Sequence, residues 1–478
     1  MPNNTNHTLE EILHPQSIAI TGASNNPANQ GYNYTRHLQS YGFRGKIYPV
    51  NPKYPEILGL KCYPSLKDIP GTIDYVISCV PAGEVIGMLD ECSQKGVKGV
   101  GLFTARFSET GHADAAELEQ AVLRRARQWG IRLIGPNGMG LYYPREGISF
   151  AYDFPTEPGS VGLASQTGGG SATFVPLAAL RGIRYSKVFS YGNALDFNEC
   201  DYLEYFSQDP ETKVILMYVE GVKDGKRFFN VLRKATATKP VVILKGGRGK
   251  SGVRAVASHT ASLAGSMKVW ETLISQAGAI FVQDFDEMVD LAVSFYFLPK
   301  ILGASVAIGG GGGGPSVLAA DVSEEAGLDV IPMPAEIHEE LRARGNPMWD
   351  WIGNPADLSI LGGSISSTEL FSMMARNPNF DLLMAILHEP TLSTRESMAS
   401  RRREEIKEYI KLKNEISKPL LVVAGEKSLG IDNIDDLRWR AMCEARTNLI
   451  AANIPVYPSV ARAARAVRKL INYYQMRG

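Results

Sequence analysis

Short runs of β-branched and apolar residues alternate with longer amphipathic stretches along nearly the whole chain. Runs of four to eight such residues bounded by turn formers read as strands, and the 3.6-residue periodicities between them read as helices. In the first part the pattern predicts strands at Ser17–Thr21, Lys46–Val50, Tyr75–Val80, Gly99–Thr104 and Arg132–Ile134. Helical patterns fill the gaps, as at Gly83–Lys95 and Asp114–Trp129. Strands separated by helices imply βαβ crossovers and parallel sheets.

The first such unit, Rossmann-like, ends near Pro144, and the aromatic, irregular stretch Arg145–Pro158 reads as a linker. A second unit has strands near Gly159–Ala164, Tyr185–Ser190, Val214–Val219 and Val241–Lys245 and closes near Pro299. A third starts at Ser305–Ile308, continues through Leu382–Leu387 and Pro419–Val423, and ends in a helix over Val460–Tyr474. The expected division is therefore 1–144, 145–299 and 300–478. The charged stretch Arg401–Lys413 reads most simply as a solvated helix face.

Composition narrows the class. Fifty Lys and Arg balance fifty Asp and Glu over 478 residues, so no charge asymmetry asks for nucleic acid or a membrane surface. No apolar run approaches the roughly 18 residues a membrane span needs. The first residues, Met1-Pro2-Asn3-Asn4, lack the basic-then-apolar pattern of a signal peptide. Cys62, Cys79, Cys92, Cys200 and Cys443 are scattered and odd in number, as expected for free thiols in a reducing cytoplasm.

Candidate chemistry begins after the first strand, at Gly22-Ala23-Ser24. A glycine turn into a helix start offers free N–H groups and a dipole to an anion. The G-x-G-x-x-G fingerprint is absent, and the second strand ends in Val50-Asn51-Pro52-Lys53 with no acidic residue for a ribose hydroxyl. A nicotinamide cofactor is disfavoured. Lys53 suits a phosphorylated ribose such as that of coenzyme A; a plain turn with a solvent lysine fits the spacing equally well. Gly246-Gly247-Arg248-Gly249-Lys250-Ser251 imitates a P-loop but has Leu244 where the pattern needs its first glycine.

Of seven histidines, His259 stands apart, in Ala257-Ser258-His259-Thr260-Ala261-Ser262, downstream of the glycine-rich 246–252 stretch. Small neighbours let a side chain approach other groups closely. Ser165-Gln166-Thr167-Gly168 follows a strand and opens a helix, a second anion cradle. Glu220 ends the Val214–Val219 strand, at the carboxyl edge where α/β sites form. An imidazole that accepts phosphate on one nitrogen needs an acceptor for the other N–H, and Glu220 can supply it. A structural histidine and a capped helix are the bland alternatives.

These blocks resemble those of the α subunits of NDP-forming acyl-CoA synthetases, relatives of succinyl-CoA synthetase. The resemblance rests on His14–Ser24, Gly45–Lys53, Phe107-Ser108-Glu109-Thr110-Gly111, Gly135-Pro136-Asn137, Ser165–Gly168, Gly192-Asn193 with Asp196, Glu220-Gly221, Ala257–Thr260 and Gly353–Leu358. It implies a CoA-binding Rossmann-like domain followed by two flavodoxin-like domains. It also implies His259 as the phosphorylated residue, Glu220 as its partner and Ser165, Gln166, Thr167 and Gly168 as the phosphate cradle. Coenzyme A would lie on Gly22, Ala23, Ser24, Asn51, Lys53, Val80 and Pro81. In such enzymes acyl-CoA and phosphate give acyl phosphate and CoA, the phosphoryl group passes to histidine, and a mobile loop carries it to ADP. ATP or ADP with Mg²⁺ would sit on a separate ATP-grasp β subunit, in an αβ or α2β2 heteromer. A small carboxylic acid is the remaining substrate. Departures are Arg106 before Phe107, Gly138-Met139 after Asn137, and six glycines at 309–314. A non-catalytic CoA-binding regulatory or scaffold protein of the same fold is the competing expectation.

Overall fold

The structure is a computed structural model and describes residues 7–252, 254, 266–360, 365–387, 395–425 and 437–477. The chain forms two compact units, Met1–Met288 and Val289–Gly478.

The first unit holds two sheets. In the first, β1 (Ser17–Thr21) lies between β2 (Lys46–Val50) and β5 (Tyr75–Ser78), followed by β6 (Gly99–Leu102) and β7 (Arg132–Ile134), all parallel. The hairpin β3 (Glu56–Ile57) and β4 (Leu60–Lys61) leads to Tyr63, which bridges Val50 in parallel. Counting that bridge as a rudimentary third strand, the order is 3-2-1-4-5-6, the Rossmann order. Both faces are covered, so β1, β5 and β6 are buried along their length, which explains their unbroken apolar runs.

The second sheet has the order β13-β12-β11-β9-β10-β8. Its parallel strands are β9 (Val161–Ser165), β10 (Tyr185–Ser190), β11 (Val214–Val219), β12 (Val241–Lys245) and β13 (Ile280–Val282). They run in the flavodoxin order 2-1-3-4-5. The short β8 (Gly140–Tyr142), before the stretch read as a linker, joins β10 antiparallel as the edge strand. The stretch itself is packed: Phe150 and Phe154 are buried, and Phe154 meets Tyr142 edge-to-face at 4.9 Å. Helix starts carry the caps that polar residues favour. Asn198 forms a capping box with Asp201, and Asp224 caps Gly225–Thr236, whose Phe228, Val231, Leu232 and Ala235 face the core. Burying each larger side chain contributes roughly 1.5–3 kcal/mol.

The second unit contains four parallel strands, β14 (Val306–Gly310), β15 (Leu382–Leu387), β16 (Leu420–Ala424) and β17 (Val456–Tyr457). A parallel Ser305–Asp329 bridge beyond β14 again suggests the 2-1-3-4-5 order. The six glycines end β14, turn at Gly311 and Gly312, and enter the helix Gly313–Glu325. Gly310 and Gly311 take φ of +118° and +77°, values that favour glycine. The charged stretch lies in the helix Arg395–Glu415; Arg401, Arg403, Glu404 and Lys407 face solvent while Ile406, Tyr409 and Leu412 are buried.

Candidate functional site

In doubly wound sheets a crevice opens where neighbouring strands send their connections to opposite faces. In the first sheet that point lies between β1 and β5. Gly22, Ala23 and Ser24 leave β1 there, and Val80 and Pro81 leave β5. Gly22 has φ +75°, and a Cβ on it would lie 2.7 Å from the Cys79 carbonyl oxygen. Its N–H and that of Ala23 donate to Val50 O at 3.1 and 3.3 Å. Asn51 braces the turn: Nδ2 donates to Ala23 O at 2.7 Å, and Oδ1 accepts from Lys53 N at 3.0 Å. Asn51 thus shapes the edge on which exposed Lys53 stands. All seven residues expected to meet coenzyme A share this edge.

The second sheet repeats the device between β9 and β11. Thr167 caps the helix Gly168–Ala179, its Oγ1 accepting from Gly170 N at 3.2 Å. The first two helical residues are Gly168 and Gly169, and a Cβ on Gly169 would meet nothing within 4 Å. Their backbone is open to an anion. Ser165 Oγ is engaged locally, donating to Thr167 O at 3.0 Å. Gln166 reaches across to β11. Its buried Oε1 accepts from Glu220 N and, at 3.1 Å, from Gly221 N, while its own N–H donates to Tyr218 O at 3.2 Å. Hence the side chains of Ser165 and Gln166 brace this turn, and glycine backbone follows Thr167 at the helix start.

Glu220 is brought to the same edge. It is buried, with Oε1 accepting from Tyr218 OH at 3.3 Å. Burial, then Glu220, push the Tyr218 phenol well above its ordinary pKa, so it remains a donor. Beneath them the buried Lys245 donates from Nζ to Glu220 O at 2.7 Å and to Gly246 O. His259 lies outside the described residues; the chain leaves β12 toward it through Gly246–Gly252.

The two edges are joined through sequence blocks whose role the spacing alone left open. Asn193 Nδ2 donates to Glu109 Oε2 at 2.7 Å and to Glu119 Oε1 at 2.9 Å, locking the Phe107–Gly111 block to Gly192-Asn193. Asp196 pairs with Arg132 at 2.7 Å. Met139 bridges likewise: its N–H donates to Ser190 Oγ at 3.0 Å and its carbonyl accepts from Tyr34 OH at 2.8 Å. A Cβ on Gly168 would lie 3.1 Å from Met139 Cγ, so this side chain lies against the helix start. Gly138 admits no side chain, because its Cβ would lie 2.5 Å from Ser190 O.

Comparison with known proteins decides the family. A CoA binding domain model matches residues 16–144, and a succinyl-CoA ligase like flavodoxin domain model matches residues 158–295. The chain is 39% identical over 386 residues to the α subunit of ADP-forming acetate–CoA ligase II from Pyrococcus furiosus, covering 80% of this chain and 83% of that one. The chain belongs to the ADP-forming acyl-CoA synthetases, as an α-type chain. Among solved members, dinucleotide forming acetyl-coenzyme A synthetase 1 from Ca. Korarchaeum cryptofilum, in complex with phosphate and ADP, gives a TM-score of 0.80 at 29% identity over 99% of both chains. ADP-forming acetate–CoA ligase from Methanocaldococcus jannaschii is 40% identical over 354 residues, 74% of this chain but 49% of that protein. The α-type synthetase chain thus spans about half of that longer relative.

Two contacts at this edge of the second sheet were not legible in the sequence. The side-chain oxygen of Gln166, a residue expected at the phosphate, accepts from the Glu220 and Gly221 amides across the sheet. Lys245 had no signal beyond ending an apolar strand.

Proposed function

We propose that this chain is the α subunit of an acyl-CoA synthetase that forms acyl-CoA, ADP and phosphate from a carboxylic acid, ATP and CoA, reversibly. The observation that carries the reading is the Gln166 clamp. It ties the Glu220-Gly221 backbone to the turn that opens the Gly168–Ala179 helix, at the β9/β11 crevice.

The coenzyme A part of acyl-CoA lies on the β1/β5 edge at Gly22–Ser24, Asn51, Lys53, Val80 and Pro81, with the thioester turned toward the Gly168–Gly170 backbone. Phosphate held by the Gly168–Gly170 backbone attacks the thioester carbonyl; the C–S bond breaks, and acyl phosphate and CoA thiol result. His259 then attacks phosphorus, the P–O bond to the acyl group breaks, and the acid leaves as carboxylate. Glu220 accepts the N–H of the other imidazole nitrogen, fixing the tautomer and offsetting the charge formed on the ring. Phosphohistidine passes its phosphoryl group to ADP.

The nucleotide and Mg²⁺ belong to an ATP-grasp β subunit in an αβ or α2β2 assembly. That inference is supported by the relatives named as α subunits and by the longer single-chain relative. Residues 1–144, 145–299 and 300–478 form the CoA-binding, phosphohistidine-bearing and third domains, the strand Gly140–Tyr142 being lent to the second sheet. The free cysteines support a cytoplasmic setting.

With a β subunit present, γ-labelled ATP is expected to label the chain at His259. His259→Asn should abolish the label, and Glu220→Gln should slow it at least tenfold. Label that persists in His259→Asn refutes the mechanism.

A further inference from the structure

Two lysines of the first unit are buried, and they differ in what holds them. Lys187 is ion-paired, with Asp209 at 3.0 Å and Glu211 at 2.7 Å. Lys245 has no carboxylate within ion-pairing distance among the described residues. Its ammonium instead meets the carbonyls of Glu220 and Gly246 and sits 5.3 Å from the centre of the Trp270 ring. An ammonium has three donors and no acceptor. Two carbonyls and one aromatic face account for all three.

A buried charge is costly unless its surroundings compensate it, so an apolar residue would serve packing at this strand end better. What the lysine adds is a tie between two particular carbonyls. One belongs to Glu220, the other to Gly246, the first residue after the sheet on the way to His259. The contact between these turns is close throughout. Gly246 N donates to Val219 O at 2.9 Å. A Cβ on Gly246 would lie 2.4 Å from Tyr218 Oη and 3.3 Å from Glu220 Cγ. Gly247 follows with φ +71° and turns the chain away. Burial lowers the affinity of Lys245 for its proton, and the nearby Glu220 charge opposes that loss.

We propose that Lys245 is a positioning residue for phosphoryl transfer, fixing against the Glu220 turn the point at which the chain departs for His259. This rests on the α-subunit reading above. Since transfer requires the imidazole and Glu220 to meet in register, small shifts of either turn should reduce it. Formation of acyl phosphate at the glycine cradle needs neither the imidazole nor its departure point.

The test separates the two half-reactions in the chain reconstituted with a β subunit. One assay follows labelling of the chain by γ-labelled ATP. The other follows CoA release from acyl-CoA and phosphate, with hydroxylamine trapping acyl phosphate. Lys245→Met should slow labelling at least tenfold while CoA release stays within threefold of wild type. Gly246→Ala, which pushes the departure point off Glu220 while retaining the ammonium, should show the same split and carries the test if Lys245→Met does not fold. Parallel loss of both half-reactions, or unchanged labelling, overturns the proposal. Wild-type chain that releases CoA but never takes label would instead overturn the α-subunit reading, and this proposal with it.

Discussion

Replacing Gln166 with leucine removes one oxygen and strands two amides. Both Glu220 N–H and Gly221 N–H point at Oε1, and only the oxygen end of the amide can accept from them. The site is buried, so water does not readily replace the lost acceptor. An orphaned buried donor costs about 1–3 kcal/mol. Taking about 2 kcal/mol for the pair, after partial relaxation of the turn, opening of this segment should become roughly thirtyfold more frequent, at about 1.4 kcal/mol per tenfold. Hydrogen exchange followed by mass spectrometry on a peptide spanning 214–223 reads that opening directly. Gln166→Glu supplies the control: it keeps an acceptor and should retain protection, while a second carboxylate beside Glu220 slows histidine labelling. Protection of the two amides within threefold of wild type in Gln166→Leu would refute the clamp as the device that presents Glu220.

Burial pushes the His37 pKa down from 6.5 to about 4, helped by Arg36 and opposed by Asp153. The folded state thus favours the neutral ring, and this stabilising contribution is complete above about pH 6.5 and lost as pH falls toward 4. At about 1.36 kcal/mol per unit the stake is on the order of 3 kcal/mol. Unfolding midpoints measured between pH 4 and 7 should fall more steeply for wild type than for His37→Leu, and parallel curves would count against the reading. Gly22→Ala forces a left-handed φ on a residue with a Cβ and drives that atom into Cys79 O. It should destabilise the chain by roughly 1–3 kcal/mol and weaken CoA binding at least tenfold, as read by thermal melts and calorimetric titration; unchanged CoA affinity would displace the ligand from this turn.

The strands were legible where they are buried on both faces. Tyr185–Ser190, Val214–Val219, Val241–Lys245 and Leu382–Leu387 form over the very residues their apolar runs mark. Gly140–Tyr142, Ile280–Val282 and Val456–Tyr457 went unseen, since two or three residues carry little periodicity, although the equally short Arg132–Ile134 was read. Helix ends agreed closely, as at Ala113–Gln128 and Val460–Gln475, since amphipathic faces persist over several turns. The stretch Arg145–Pro158 looked like a linker because its aromatics have no regular spacing; they pack as a cluster, which spacing does not report.

By itself the chain determined its alternation of strand and helix, the glycine turns at Gly22 and Gly168, and the acidic residue at the tip of the Val214–Val219 strand. These are local properties, set by which residues tolerate a turn or fill a buried strand. Strand order was decided only in three dimensions. Placing β9 beside β11 brings Gln166 to Glu220, residues 54 positions apart. The same packing spends the side-chain oxygen of Gln166 on the amides of Glu220 and Gly221. In sequence a polar side chain shows no partner. Once the sheet buries it, the cost of leaving any polar group unpaired assigns that partner.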